Sequence, residues 1–303
     1  MSLRFLMPLL AVVALAASLA AAGCSAADPD STAASETERV LRFSAIPDQD
    51  AAALQAKFDR WAAHLSTELG VKVEYVPAID YRASVELFRG GDVQLAWFGG
   101  LTGVQAREAV AGARAIAQGK ADPEYYSYFI AHESTGLERG DAFPAGIADF
   151  AFTFGSESST SGRLMPEYFI RNATGQAPEA FFASAPTFSG SHDKTVELVA
   201  SGQVPVGAVN YKVYNARVAD GRTSADECRV IWRTPPYADY NFTAHPVLDE
   251  WFGEGFIDRL QAVLIAVDDP ELLAAFPREA MIPAENADFD VIADVARELG
   301  FLR

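Results

Sequence analysis

Ser158, Ser159, Thr160 and Ser161 stand in a row and are closed by Gly162, four hydroxyl residues where a helix cap needs one. Hydroxyls donate hydrogen bonds without carrying charge, and glycine lets backbone come close to whatever they hold. That chemistry suits capture of a small oxyanion. Three further small polar stretches are placed alike: Pro47-Asp-Gln-Asp50, Trp97-Phe-Gly-Gly100 and Ser189-Gly-Ser-His-Asp193. Each lies between the end of a predicted strand and the start of a predicted helix, where unpaired N–H groups and a partial positive charge favour anions. Any one of these loops alone reads as an ordinary N-cap; the 158–162 run exceeds that need. Pro166 is an obstacle, since it removes an early helical N–H, so the helix after the run is expected to start late or bend. His192, at a predicted helix start, is either an oxyanion donor or a structural histidine, and spacing leaves both open. The tyrosines of Tyr125-Tyr-Ser-Tyr128 read on spacing as core.

Catalytic chemistry finds no support. The sequence has no Gly-x-Ser-x-Gly elbow, no Walker A loop and no Gly-x-Gly-x-x-Gly fingerprint. His64, His132, His192 and His245 show no metal-ligand spacing with one another or with the two cysteines, so no metal and no cofactor is expected. A net charge of -17 without any Lys/Arg cluster argues against nucleic-acid binding. It also means that anion specificity must come from local dipoles, because the global field repels anions.

The elements that must position these residues alternate. Val40–Ile46 reads as a strand, and a helix follows with Leu54, Phe58, Trp61 and Leu65 on one face. Gly70 ends it; Val71–Val76 is a second strand, Tyr81–Arg89 a helix, Val93–Trp97 a third strand and Leu101–Val110 a helix. The middle repeats the theme with strands at Phe152–Phe154, Val204–Val209 and Arg229–Trp232, and helices near Met165–Asn172 and from His192 to Gly202. The tail supplies amphipathic helices over Trp251–Leu264, Asp269–Ala275 and Phe289–Leu299. This βαβ spacing predicts an α/β fold with a mainly parallel sheet covered on both faces.

The N-terminus carries an address. Arg4 precedes an apolar stretch from Phe5 to Ala22 that stops at Gly23-Cys24, the pattern of a secretory signal over 1–23. The cysteine after Ala21-Ala22-Gly23 resembles a bacterial lipobox, with Ala21 where leucine is usual, so lipidation of Cys24 is expected. An uncleaved membrane helix is the alternative, since the run approaches the roughly 20 residues that span a bilayer. Residues 24–39, rich in Ala, Ser, Thr, Asp and Glu, read as a flexible tether. With Cys24 lipidated, Cys228 has no disulfide partner and reads as a small buried hydrophobe.

Taken together, Asp80-Tyr81, Asp92-Val-Gln-Leu-Ala-Trp-Phe-Gly99, Phe154–Gly162, Ser189–Asp193 and Thr234-Pro-Pro-Tyr-Ala-Asp-Tyr240 resemble the phosphonate/phosphite-binding family of ABC-transporter solute receptors, type II periplasmic binding proteins. The likeness runs from about Leu41 to the C-terminus and is nearest a branch labelled selenate transporters. The resemblance implies two lobes, 40–129 plus 236–303 and 130–235, joined by two crossings near Tyr128 and Pro235 and closing on a ligand. It implies that Ser159, Thr160 and Ser161 bind the oxyanion, with Tyr81, Tyr125, His192, Asp239 and Tyr240 around it and Trp97 and Phe98 lining the first lobe. It further implies an extracytoplasmic monomer, anchored by lipid, that serves an ABC permease and is not an enzyme. A selenate- or sulfate-type receptor and a module docked on a membrane sensor kinase are the alternatives. One departure bears on the ligand: family members that take aminoalkyl-phosphonates carry an acidic residue where this chain reads Asn210-Tyr-Lys-Val213, with Lys212 near that position. A bare oxyanion such as phosphite, phosphate, sulfate or selenate is then favoured, and Asp239 is expected to accept a proton that the ligand carries.

Overall fold

The structure of the protein is a computed structural model that describes residues 39–49 and 51–302. The expectations for the signal at 1–23, for Cys24 and for the tether up to residue 38 lie outside the described residues. The chain begins β1 (Leu41–Ala45), α1 (Ala51–Leu69), β2 (Val73–Tyr75), α2 (Tyr81–Arg89), β3 (Leu95–Phe98), α3 (Gly100–Ala109) and β4 (Arg114–Gly119). It continues β5 (Ser127–His132), β6 (Phe152–Phe154), α4 (Met165–Thr174), α5 (Pro178–Phe181), β7 (Thr187–Phe188), α6 (His192–Ala200), β8 (Val206–Asn210), α7 (Tyr211–Ala219) and β9 (Cys228–Arg233). The last part is β10 (Asn241–Ala244), α8 (Val247–Phe252), α9 (Phe256–Ala266), α10 (Pro270–Leu273), β11 (Met281–Pro283) and α11 (Asp290–Glu298).

These strands form two sheets, in the orders β11-β4-β10-β3-β1-β2 and β7-β6-β8-β5-β9. Where strand, helix and strand follow one another the pairing is parallel, as the spacing predicts: β1 with β2 and β3, and β6 with β7 and β8. The expectation of mainly parallel sheets is corrected for the rest. Strand β10 runs antiparallel between β3 and β4, β11 is antiparallel to β4, and β5 is antiparallel to both β8 and β9. The cause is the route of the chain. It leaves the first sheet after β4, enters the second at β5 and comes back at β10, so the entering strands run against their neighbours. At the two passages Tyr125 and Tyr237 pair through their backbones, and Ser127 N–H donates to Thr234 Oγ1 at 2.9 Å.

Packing follows the predicted faces. Leu54, Phe58, Trp61 and Leu65 of α1 are buried against β1 and the tail, where Trp61 Nε1 donates to the Leu272 carbonyl at 2.7 Å. In β5, Phe129 and Ala131 serve one core cluster while Ile130 serves another, the strand alternation that gives the second sheet two covered faces. The helix expected over 251–264 is two helices, α8 and α9, because Gly253 and Gly255 between them adopt φ of 99° and 79°. Helix α4 begins in a wide turn over Thr160–Leu164, which resolves the difficulty of Pro166. The carbonyls that Pro166 cannot serve find other donors: Gly162 O accepts from Gly155 N at 2.8 Å, and Ser161 O from Ser127 Oγ at 2.6 Å.

Candidate functional site

The hydroxyl run leaves β6 and turns into α4 with Ser159, Thr160 and Ser161 all buried and Ser158 at the edge. Ser159 Oγ accepts from Gly162 N at 2.9 Å and so closes the turn on itself. A side chain at 162 has no room, since a Cβ there would stand 2.9 Å from Ser159 Oγ and 3.1 Å from both Gly155 Cα and His192 Cε1. Facing this turn is the start of α3, where β3 ends. Gly100 N donates to Asp239 Oδ1 at 2.9 Å and Leu101 N donates to Thr160 Oγ1 at 2.9 Å. A helix N-terminus thus holds one carboxylate oxygen from its own sheet and one hydroxyl from the other.

His192 opens α6 beside the same turn. Its Nδ1 accepts from Asn210 N at 3.3 Å, which puts the ring proton on Nε2, and Nε2 stands 3.5 Å from the hydroxyls of both Ser159 and Ser161. Burial pulls its pKa down to about 4 against the attraction of Asp193, so at neutral pH the ring is an uncharged donor. Its backbone N–H donates to Asp48 O at 3.2 Å. Asp48 also takes the Tyr240 hydroxyl on Oδ2 at 2.9 Å, and that hydroxyl accepts from Asn210 Nδ2 at 3.1 Å. This relay ties the second sheet to the first.

Two buried carboxyls therefore face neutral donors. Burial raises Asp239 to about 7, although Gly100 N–H and the Thr160 and Ser161 hydroxyls favour its ionised form. Burial likewise raises Asp48 to about 6 against Tyr240 and Arg278. Tyr81, Tyr125 and Tyr240 are pushed well above the ordinary phenol value, burial being the largest cause, and remain hydrogen-bond donors. Six buried side-chain polar atoms lack a hydrogen bond of good geometry among the described residues, and two of them, Tyr81 Oη and Asp239 Oδ2, belong here, with the Ser159 hydroxyl near the first and those of Thr160 and Ser161 near the Asp239 carboxyl. Because an unpaired buried polar atom costs about 1–3 kcal/mol, a pair of them at one place points to a ligand that would satisfy both.

One wall is aromatic. Trp97 and Tyr240 stack with centroids 5.5 Å apart, and Tyr125 lies 5.3 Å from Tyr240. Against these rings Arg278 is buried and paired with Asp122. These rings, Asp48, Asn210, Lys212 and Arg278 line a cavity of about 10 Å³, counted as room for the centre of a water molecule. Among the expected residues Trp97, Tyr125 and Tyr240 line this cavity, while Ser159, Thr160, Ser161, His192 and Asp239 meet at the hydroxyl turn, and Tyr81 lies near enough to Asp48 and Asp239 to feel their charge. Phe98 does not join them: its ring stands edge-on to Phe88 at 5.6 Å, on the face opposite Trp97, as successive strand residues must. Tyr125, read on spacing as core and by resemblance as pocket, and Tyr240, expected by resemblance alone, are both buried in the first core cluster and both line the cavity. Sequence reasoning missed Asp48, Asn210, Asp122 and Arg278. Asp48 sat in a loop already singled out and Asn210 caps α7 through Val213 N at 2.7 Å, whereas Arg278 lies in a tail with no motif. Among the described residues no His/Cys/Asp/Glu group could hold a metal.

The model of the family described as ABC transporter, phosphonate, periplasmic substrate-binding protein matches residues 43–289. A Prochlorococcus marinus protein named "Probable ABC transporter phosphite binding protein PhnD1" is 38% identical over 272 residues, covering 88% of this chain and 91% of that protein. A phosphate-import protein of Mycolicibacterium smegmatis is 29% identical over 84% of this chain and 80% of its own length. The crystal structure of the Prochlorococcus protein in complex with methylphosphonate superposes with a TM-score of 0.82 at 37% identity, covering 87% of this chain and 99% of that one.

Proposed function

We propose that this chain, which belongs to the family of periplasmic phosphonate-binding proteins of ABC transporters, captures phosphite or a short phosphonate between its two sheets. It is a substrate-binding transport component and not an enzyme. The observation that carries the ligand class is the pair of buried atoms without a hydrogen bond of good geometry, Tyr81 Oη and Asp239 Oδ2, beside a turn of three buried hydroxyls. A tetrahedral oxyanion with one protonated oxygen satisfies both: Tyr81 donates to an anionic oxygen, and Asp239 either accepts the ligand's proton or supplies its own. Sulfate brings no proton and must draw one from Asp239, so it becomes the weaker ligand as Asp239 ionises above about pH 7.

Size argues in the same direction. Asn210 and Lys212 occupy the ground where an aminoalkyl chain would need an acidic partner, and the adjoining cavity of about 10 Å³ has room for little more than one water. Phosphite and methylphosphonate fit this description better than an aminoalkyl-phosphonate. In this reading the halves 40–129 plus 236–303 and 130–235 are lobes that move apart to admit the ligand. The contacts from Thr160 to Leu101 N, from His192 N to Asp48 O and from Asn210 to Tyr240 would then form on closure. Lipidation at Cys24 would hold the monomer at the membrane beside its permease. The test is a thermal-shift panel of phosphite, methylphosphonate, phosphate, sulfate and selenate, followed by titration calorimetry. Phosphite or methylphosphonate should give the largest shift; a larger shift with sulfate or selenate would overturn the reading.

A further inference from the structure

The site brings two carboxyls and an incoming anion together inside a chain of net charge -17, and its hydroxyl donors carry no charge. Among the described residues Lys212 and Arg278 line the cavity beside the aromatic wall. Lys212 is partly buried, its amine 5.3 Å from the Tyr211 ring. Arg278 is enclosed: Nη2 donates to Asp122 Oδ1 at 2.7 Å, Nε to Asp122 Oδ2 at 2.8 Å, and Nη1 to the Phe276 carbonyl. Its guanidinium carbon lies 4.9 Å from the centroid of Tyr240 and 5.5 Å from those of Trp97 and Tyr125. Glycine at 119 makes this packing possible, because a Cβ there would fall 2.4 Å from Arg278 Cδ and 2.5 Å from Asp122 Oδ2. Asp122 is tied to the site through the backbone as well, its carbonyl accepting from Asp239 N at 3.1 Å.

We propose that Arg278, held by Asp122, is a positioning residue for oxyanion capture: it fixes the three rings and sets positive charge against them, beside the anion's place at Tyr81, Asp239 and the hydroxyl turn, without touching the ligand. The inference rests on the oxyanion reading of the site. A cation packed 4.9–5.5 Å from the ring centroids, in surroundings of low dielectric, attracts the anion over several ångströms. It does so without a direct ion pair that release to a permease would have to break. Pairing with Asp122 keeps the guanidinium charged and leaves its planar fork no freedom to swing toward the ligand.

The sign of the charge provides the test. Phosphite affinity is measured by calorimetry, with melting temperature, for the native protein, Asp122→Asn, Arg278→Met and the double variant. Asp122→Asn removes the negative charge but keeps one oxygen to accept from the guanidinium, so affinity should be unchanged or tighter. Removing both charges should weaken it about tenfold, and Arg278→Met should weaken it most, because Asp122 then faces the anion unbalanced. A residue that merely holds the fold together would weaken binding in every variant. Weaker binding by Asp122→Asn than by the native protein, or native affinity in the double variant, overturns the proposal. Where Arg278→Met fails to fold, the contrast between Asp122→Asn and the double variant decides. A native protein that binds none of phosphite, methylphosphonate, phosphate or sulfate overturns the oxyanion reading itself, a separate result.

Discussion

Asp239→Asn isolates a proton that the site places on a buried carboxyl. Burial carries Asp239 from 3.8 to about 7, so between those values the folded protein keeps a proton that the unfolded chain has released. Stability from this group is fully present below pH 3.8 and is lost as pH rises through about 7. At ~1.4 kcal/mol per pKa unit the whole span amounts to about 4 kcal/mol at most. An amide cannot ionise, so the variant should be the more stable protein at pH 8 and its stability should fall less between pH 5 and 8. The same proton governs the ligand. At pH 8 only about one Asp239 in ten is protonated, and an anion without a proton should bind about tenfold more weakly than at pH 6. Calorimetry with sulfate and phosphite from pH 6 to 8.5, in buffers of different ionisation enthalpy, counts the protons taken up. The native protein should take up close to one proton per sulfate at pH 8, and Asp239→Asn fewer, with a shallower loss of sulfate affinity. Asp48, raised to about 6, is present in both proteins, so the difference between them is the readout. Sulfate affinity that stays constant between pH 6 and 8, or an unchanged proton count in the variant, refutes the reasoning.

Other groups give independent outcomes. Tyr81→Phe removes a hydroxyl with no hydrogen bond of good geometry among the described residues, so melting should stay within about 0.5 kcal/mol of native while phosphite binding weakens by about 1.5–3 kcal/mol; unchanged affinity would exclude Tyr81 from the site. Thr160→Ala strips Leu101 N of its acceptor and should weaken phosphite binding by roughly 1–3 kcal/mol, most of it recovered in Thr160→Ser; calorimetry reads both. His192 is held neutral by burial, its pKa lowered from 6.5 to about 4, so the stability it contributes is present above pH 6.5 and lost as pH falls through about 4. An NMR titration should find its ring uncharged and protonated on Nε2 at pH 5.5, and a midpoint near 6.5 would contradict this.

Much of this arrangement was legible because its parts are local. The run Ser158–Gly162 declared itself by exceeding what a cap requires, and His192 and Tyr81 stood at helix starts that their neighbours marked. The βαβ part of each sheet followed from hydrophobic period alone. Strand β4 was hidden because Arg114-Ala-Ile-Ala-Gln-Gly is poor in β-branched residues and all but Arg114 is buried, which leaves no alternation to read. The antiparallel place of β10 depends on where the chain returns from the other sheet, a long-range fact with no local signature. Arg278 and Asp122 are 156 residues apart, and nothing near either announces the other. Phe98 enters the expected site only through the resemblance, and strand alternation puts its ring against Phe88 instead.

A crystal structure of the protein with bound phosphite bears most directly on the central claim. The anion should lie between the sheets with its oxygens ~2.7–3.2 Å from hydroxyls of Ser159, Thr160 or Ser161, from Tyr81 Oη and from Asp239 Oδ2. An anion seated elsewhere, with Tyr81 Oη and Asp239 Oδ2 still unpartnered, would contradict it.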